Sequence, residues 1–286
     1  MGDCGIAPVS VVIPCFQCGT TIGRAVASIA AQTQKPAEVL LVDDASGDET
    51  SSALQQLVSS YPGWVTLLVL DHNQGPSAAR NAGWEAATQP YVAFLDADDS
   101  WHPEKIRIQY GVMRDNPDID ISGHRCLWVR ADEVLPPVTD YAKITNISVP
   151  NLVFGTRLST PTIMLKRHIP FRFEVHKRYA EDLHLWRQVA CANSRVVRIE
   201  SPLAYMHKAP YGVSGLSAEL WPMEKGELSS LRSLYNARHI SWMLLALGST
   251  FSVAKYLKRI AHVQLARMYR GCSQLVGNRA QNSTLF

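Results

Sequence analysis

The sequence predicts an α/β fold, a Rossmann-like and mostly parallel sheet flanked by helices, with a C-terminal helical extension. Three observations predict it. Short β-branched runs alternate with amphipathic stretches over the first hundred residues, each run closes on a proline or an acid, and the acids gather at the run ends. Val9 to Ile13, closed by Pro14, and Glu38 to Val42, closed by Asp43 and Asp44, read as buried parallel strands. Between them, Ile22, Val26, Ile29 and Ala30 form a helical stripe, which makes a βαβ unit. A second helix is expected over 46–60, started by Ser46 or Asp48, with Leu54, Leu57 and Val58 on its apolar side. A strand over 65–70, a helix over 77–87 and a strand over 91–95 repeat the alternation. Beyond Asp118 the pattern is mixed. Short strands are expected at 119–122 and 126–129, a turn at Pro136-Pro137, a helix over 181–191, a strand over 195–199 and long helices from about Met223.

At 286 residues and 47% hydrophobic, the chain has room for one large α/β domain and an appendage, but not for two ordinary enzymes. The expected division is 1–222 for the catalytic domain and 223–286 for the extension. Six cysteines are too few for a secreted disulfide scaffold, and no basic-then-apolar leader precedes the first strand. The expectation is a reducing, cytoplasmic setting, in which the sequons at Asn146 and Asn282 carry no meaning. Cys15 and Cys18 have C-x-x-C spacing, but no second pair follows at the distance of a zinc site.

Ligands of parallel α/β sheets bind beyond the carboxyl ends of the strands, and there the acids lie. Asp96, Asp98 and Asp99 follow the apolar run ending in Phe94-Leu95. In an extended chain Asp96 and Asp98 would point to one side, able to share a hard divalent cation with substrate phosphates. The plainer reading is an acidic turn that caps the next helix, a role suited to Asp99 or Ser100. Asp43 and Asp44 could accept a hydrogen bond from a base or ribose, or could form an N-cap network.

Four segments then carry a resemblance. Val9-Ser-Val-Val-Ile-Pro-Cys-Phe16, Val42-Asp-Asp-Ala-Ser-Gly-Asp48, Asn73-Gln-Gly-Pro-Ser-Ala-Ala-Arg-Asn81 and Phe94-Leu-Asp-Ala-Asp-Asp99 resemble, in order and spacing, the signatures of family 2 inverting glycosyltransferases of the GT-A fold. Glu181-Asp-Leu-His-Leu-Trp-Arg187 resembles a fifth, and the likeness covers about 8–210. The resemblance implies transfer of a sugar from a nucleotide-diphosphate donor, UDP-linked by expectation, to a saccharide or lipid-linked acceptor, assisted by Mn2+ or Mg2+. It implies that Pro14 and Phe16 line the nucleoside pocket and that Asp44 contacts the base. Asp96, beside Ala97, would contact the ribose and Asp98 would hold the metal. Arg80 would either touch phosphate or support its loop. Asp182 would be the general base, with Glu181 contacting the acceptor or fixing Asp182. His207, in Tyr205-Met-His-Lys208, would close on the metal, although the histidine stands two places after the tyrosine rather than three.

Other functions fit less well. A nucleotidyltransferase needs a Gly-rich and basic loop near the first strand, where only Arg24 stands. A silent nucleotide-sugar-binding module would have lost the acids, which are present. No G-x-G-x-x-G follows the first strand, and no nucleic-acid motif accompanies the basic residues.

Glu227 is the last acidic residue, and eight Lys or Arg follow it, so the tail is purely basic while the rest is net acidic. Residues 240–254 carry no formal charge but are too few to span a bilayer. An apolar face beside a basic one suits the inner surface of an anionic membrane. The alternative is a helical pair packed on the catalytic domain or on a second copy in a homo-oligomer.

Overall fold

The computed structural model describes residues 5–129, 143–155, 158–192, 194–208 and 218–282, with side chains for all but 265–282. The expected turn at Pro136-Pro137 lies outside the described residues. The first half is the alternation read from sequence. Strands β1 (Ala7–Cys15), β2 (Pro36–Asp43), β3 (Val65–Val69) and β4 (Tyr91–Phe94) alternate with helices α1 (Ile22–Ala30), α2 (Thr50–Ser60) and α3 (Pro76–Ala86). These four strands are all parallel and lie in the order β3-β2-β1-β4.

Period-two alternation sets the two layers. Val9, Val11 and Ile13 of β1 pack with Ile22, Val26 and Ile29 of α1 and Leu54 of α2. Val12 points the other way, into a cluster with Ala79 and Trp84 of α3. Helix α3 approaches the sheet closely because residue 83 has no side chain. A Cβ there would lie 2.4 Å from Val12 Cγ1 and 3.0 Å from Val42 Cγ2.

After β4 the sheet becomes mixed. β5 (Ser100–Trp101), β6 (Ile119–Trp128), β7 (Ile144–Asn146), β8 (Met164–Lys166) and β9 (Arg195–Met206) extend it as β4-β8-β6-β9-β5, with β7 also on β9. The two short strands expected at 119–122 and 126–129 are one strand, β6. Its register shifts on either side of Arg125, and this irregularity breaks the alternation visible in sequence. β9 likewise runs past Ile199 to Met206, through Pro202. Helices α4 (Lys105–Asp115) and α5 (Val149–Phe154) complete the flanks. Lys105 opens α4 fully buried, its ammonium 3.5 Å from the centre of the Trp101 ring.

α6 (Glu181–Cys191) follows its sequence expectation, and α7 (Leu220–Asn236) and α8 (Trp242–Asn282) form the extension. The expected boundary at 222/223 falls inside α7, which is tied to α6. His184 Nδ1 lies 3.1 Å from Ser230 Oγ, and Glu227 receives Lys255 of α8 at 2.6 Å and faces Arg187 of α6 at 3.7 Å. Leu231, Leu234 and Ile240 bury themselves with Val153 of α5. A cut after Glu227 would open this cluster.

Gly83→Ala is expected to destabilise the chain by about 1–3 kcal/mol, because two valines of central strands must move. Gly111→Ala, in α4 with nothing within 4 Å of the added carbon, is expected to be neutral or to gain up to about 1 kcal/mol. Thermal melts of the pair check this, and equal melting temperatures would refute the close approach of α3.

Candidate active site

The carboxyl ends of β1, β2 and β4, the start of α3 and the segment before α6 enclose a cleft of about 760 Å³. Pro14, Phe16, Asp44, Arg80, Asp96, Ala97, Asp98 and Glu181 all line it. Phe16 is 45% exposed there, a flat apolar surface at the end of β1. Gln17 and Ala45, just beyond β1 and β2, and Ala180, just before α6, have positive φ although none is glycine. Such backbone costs about 1–3 kcal/mol per residue and persists only where packing enforces it.

Asp43 and Asp44 divide their tasks. Asp43 Oδ1 accepts from the Ser46 amide and hydroxyl and Oδ2 from Ser51 Oγ, so it forms the turn network, away from the cleft. The helix expected to start at Ser46 or Asp48 begins at Thr50, whose amide is held by Asp48. Asp44 lines the cleft while accepting from the amides of Gln74 and Gly75 at 2.7 and 2.8 Å. Each oxygen keeps a second lone pair for a ligand.

Asp96 and Asp98 share the cleft, but not through strand alternation. β4 ends at Phe94, and the acids sit in a turn closed by the Asp99 amide on Asp96 O at 3.1 Å. Arg24 Nη2 fastens this turn by donating to Asp98 O at 2.6 Å. Pairing of Ser100 with Tyr205 brings the end of β9 alongside. There Lys208 Nζ lies 2.7 Å from Asp98 Oδ2. His207, expected at the metal, instead places Nε2 2.8 Å from Ser100 Oγ and is not part of the cleft lining. Its departure from the expected register has put the lysine where the histidine was sought.

Arg80 is held by two carboxylates. From α3 it donates to Asp96 Oδ1 and to Glu181 Oε1, both at 2.9 Å, with its guanidinium 5.4 Å from the centre of the Phe173 ring. It is 6% exposed. It therefore joins the acidic turn to the first residue of α6. Its neighbours Asp96 and Glu181 raise its pKa against the opposing effect of burial.

Glu181 and Asp182 face different ways. Glu181 lines the cleft; Asp182 lines a second cavity of about 430 Å³ on the other side of the α6 N-terminus. Burial, then the Asp182 charge, pushes the Glu181 carboxyl up to about 7. Burial also raises Asp182, opposed by Arg80 and by hydrogen bonds from the Leu183 amide at 2.6 Å and Thr160 Oγ1 at 3.2 Å. The Thr160 contact ties the short helical turn Thr160–Thr162 to Asp182.

The cleft suits a divalent cation shared with a ligand. Asp98 offers a carboxylate, and Asp99, buried beside Asp96 and Asp98, is pushed up to about 8 by burial and by their charges. Among the described residues no three His, Cys, Asp or Glu are grouped so as to hold an ion. Arg24, Lys177, Arg178 and Lys208 add positive charge around the cleft, and no motif in the sequence marked Arg24 or Lys177 for it.

Residues 10–161 match the model of Glycosyl transferase family 2. The chain belongs to that family, and its fold is the GT-A glycosyltransferase fold. It is similar to an uncharacterized glycosyltransferase of Nostoc, 35% identical over 116 residues, which cover 41% of this chain and 36% of that protein. It is 28% identical over 189 residues to UDP-Glc:alpha-D-GlcNAc-diphosphoundecaprenol beta-1,3-glucosyltransferase WfgD of Escherichia coli, covering 65% of this chain and 71% of WfgD. A solved structure of the mannosyltransferase PcManGT of Pyrobaculum calidifontis, with GDP-Man and Mn2+, aligns at TM-score 0.63 and 17% identity, over 95% of this chain and 81% of that one.

The raised Glu181 pKa has a definite sign. A carboxyl titrating at 4.5 in the unfolded chain and about 7 in the folded one binds its proton more tightly when folded. Its contribution is complete below pH 4.5 and is lost as pH rises to about 7. Melting temperature is expected to fall across that window in the wild type and to fall less in Glu181→Gln. Parallel profiles would contradict the assignment.

Proposed function

We propose that the chain is an inverting, metal-assisted glycosyltransferase that moves a sugar from a nucleotide-diphosphate donor, UDP-linked, to a hydroxyl of a saccharide or lipid-linked acceptor. The observation that carries this reading is that two adjacent carboxylates at the start of α6 border two neighbouring cavities, Glu181 the acid-rich cleft and Asp182 the second cavity. The UDP donor and lipid-linked acceptor in the name of the Escherichia coli relative support it.

In this reading Pro14 and Phe16 flank the nucleoside and Asp44 accepts a hydrogen bond from the base while fixing the 74–75 turn. Asp96 contacts the ribose with the oxygen that Arg80 leaves open, and Ala97 keeps the floor between the acids small. Asp98 would hold Mn2+ or Mg2+, which when bound neutralises charge on the diphosphate leaving group. Lys208 offers a second cation to the same charge, and His207 has no part in the metal site. Asp182 removes the acceptor hydroxyl proton as that oxygen bonds to the anomeric carbon, while the bond from that carbon to the diphosphate breaks on the opposite face. Its raised pKa makes it a stronger base, and Thr160 and the Leu183 amide aim it. Glu181 acts through Arg80, holding the base helix to the acidic turn. The silent-module alternative retains the cleft without turnover. Family membership argues against a nucleotidyltransferase.

Asp182→Asn is expected to cut transfer by about 10²-fold or more while nucleotide affinity stays within about twofold. An α-linked donor should give a β-linked product by NMR. Equal loss of affinity and rate, or retained configuration, would overturn the base assignment.

We also propose peripheral contact with the inner face of an anionic membrane. Trp242, Met243, Leu247 and Leu257 of α8 are all more than half exposed, and Lys258 stands beside them. Among the described residues no helix is long and apolar enough to cross a membrane. Co-sedimentation with anionic vesicles is expected to fall as salt rises, since each surface cation contributes about 1 kcal/mol. Indifference to vesicles would favour a homo-oligomer contact for the same face.

A further inference from the structure

Sugar transfer leaves two thiols of the donor cleft unused. Cys15 closes β1 and Cys18 follows it across Phe16 and Gln17; both are free, both are buried, and both line the cleft. Positive φ at Gln17 bends the chain between them, and the two side chains hydrogen-bond each other. The single proton of Cys15 thus has two acceptors, Ile13 O at 3.4 Å and the Cys18 sulfur. The backbone on either side is fixed. Cys15 O accepts from the Asp44 amide at 2.8 Å, the Cys18 amide donates to Thr50 Oγ1 at 2.9 Å, and Cys18 O accepts from the Thr21 and Ile22 amides at 2.9 and 3.0 Å. The frame that presents Phe16 to the cleft therefore also holds the two thiols together.

The two thiols are unequal. Cys15 is fully enclosed, and burial, then the contact with Cys18, pushes it well above the usual thiol value. Cys18 is 7% exposed, and the hydrogen bond from Cys15 lowers it against the opposing effect of burial. The thiolate is the form that attacks an oxidant. The outer sulfur is thus the one that reacts first, and the inner one is in place to displace the group it gains. Among the described residues no third His, Cys, Asp or Glu is grouped with them to hold an ion, so the chemistry they share is with each other.

We propose that Cys15 and Cys18 are a site of reversible oxidation by peroxide, and that the disulfide they form closes the donor cleft to nucleotide. The Cys18 thiolate attacks one peroxide oxygen, the O–O bond breaks, and the other oxygen leaves and takes up a proton as water. Cys18 is then a sulfenic acid. The Cys15 sulfur attacks the Cys18 sulfur, the S–O bond breaks, and the departing hydroxyl leaves as water with the Cys15 proton. Two thiols and one peroxide give one disulfide and two waters, and a dithiol reductant reverses the bond by exchange. An S–S bond of about 2.05 Å is far shorter than any hydrogen-bonded approach of two sulfurs. Its formation draws in both ends of the Phe16-Gln17 bridge, shifts the half-exposed Phe16 ring and strains the hold of Thr50 on the Cys18 amide. The effect on nucleotide rests on reading Phe16 as a wall of the nucleoside pocket, whereas formation of the disulfide does not.

The test treats the full chain with hydrogen peroxide, alkylates the remaining thiols, and locates the oxidised pair by fragmentation of the peptides in a mass spectrometer. UDP affinity is measured by calorimetry on the same samples. A Cys15–Cys18 disulfide is expected, and saturating UDP added before the peroxide should slow its formation by about tenfold or more, because the occupied cleft covers Cys18. The oxidised chain should bind UDP more weakly by about tenfold or more, and dithiothreitol should restore the affinity. Cys15 lies in the core and its replacement lowers stability, so Cys18→Ala carries the test: its UDP affinity should be the same before and after peroxide. Cys126→Ala should respond as the wild type does. Cys18 recovered as a sulfinic acid or bonded to another cysteine would overturn the pairing. A Cys15–Cys18 disulfide that leaves UDP affinity unchanged, or an equal loss of affinity in Cys18→Ala under peroxide, would overturn its effect on the cleft. A reduced chain indifferent to UDP would overturn the donor reading and the effect on nucleotide together, while the disulfide is still read by mass.

Discussion

The site depends on one buried guanidinium. Arg80 links an acid of the β4–β5 turn to the first acid of α6, two segments 85 residues apart in sequence. Taking Arg80 and Glu181 out of water costs several kcal/mol per ion, recovered only by close, well-oriented pairing, while Asp96 stays partly exposed. Such an arrangement is costly as a source of stability. It is effective as a positioning device, because removing Arg80 leaves Glu181 buried without its ion-pair partner. The guanidinium answers Asp96 and Glu181 by direct contact and Asp182 only through space, so one positive charge serves three acids. Burial raises the Glu181 and Asp182 carboxyls above the usual carboxylate range, and Arg80 opposes this only in part.

The scaffold spends strain to deliver these groups. Positive φ at Gln17, Ala45 and Ala180 turns the chain sharply where β1 and β2 end and where α6 begins. Each turn is over-determined by neighbours. The Gln17 amide donates to Ser46 Oγ, the Cys18 and Gly19 amides to Thr50 Oγ1, and the Asp44 carboxylate collects the next loop. Close seating of α3 through Gly83 then sets the height at which Arg80 crosses the cleft. The extension belongs to the same framework, since α7 packs on α6 behind the base. A Cβ at Gly226 would lie 2.4 Å from Tyr179 O, immediately before the α6 start.

Much of this was legible in sequence where information is local. Buried parallel strands announce themselves by β-branched runs, and α6 by its stripe and acidic first turn, so the first four strands and α6 were placed within a residue or two. The acids at strand ends were found because the fold class says where ligands bind. The reason given for Asp96 and Asp98 sharing a side was mistaken, because the strand ends at Phe94 and a turn does the work. Topology beyond Asp118 was not legible, since antiparallel insertion of β8 between β4 and β6 depends on pairings across 40 residues or more. For the same reason the sequence could not show that Arg80 bridges two acids or that Lys208 rather than His207 reaches Asp98.

The central claim is that Arg80 makes Asp96 and Glu181 act as one unit. A double-mutant cycle in kcat/KM for sugar transfer, using Asp96→Asn and Glu181→Gln, measures this directly when run in the wild type and again with Arg80→Met. In the wild-type background the two substitutions should be non-additive by about 1 kcal/mol or more, as for groups in one buried network. In Arg80→Met the coupling should fall to within about 0.5 kcal/mol of zero. Additive effects with Arg80 present, or coupling that survives its removal, would contradict the account.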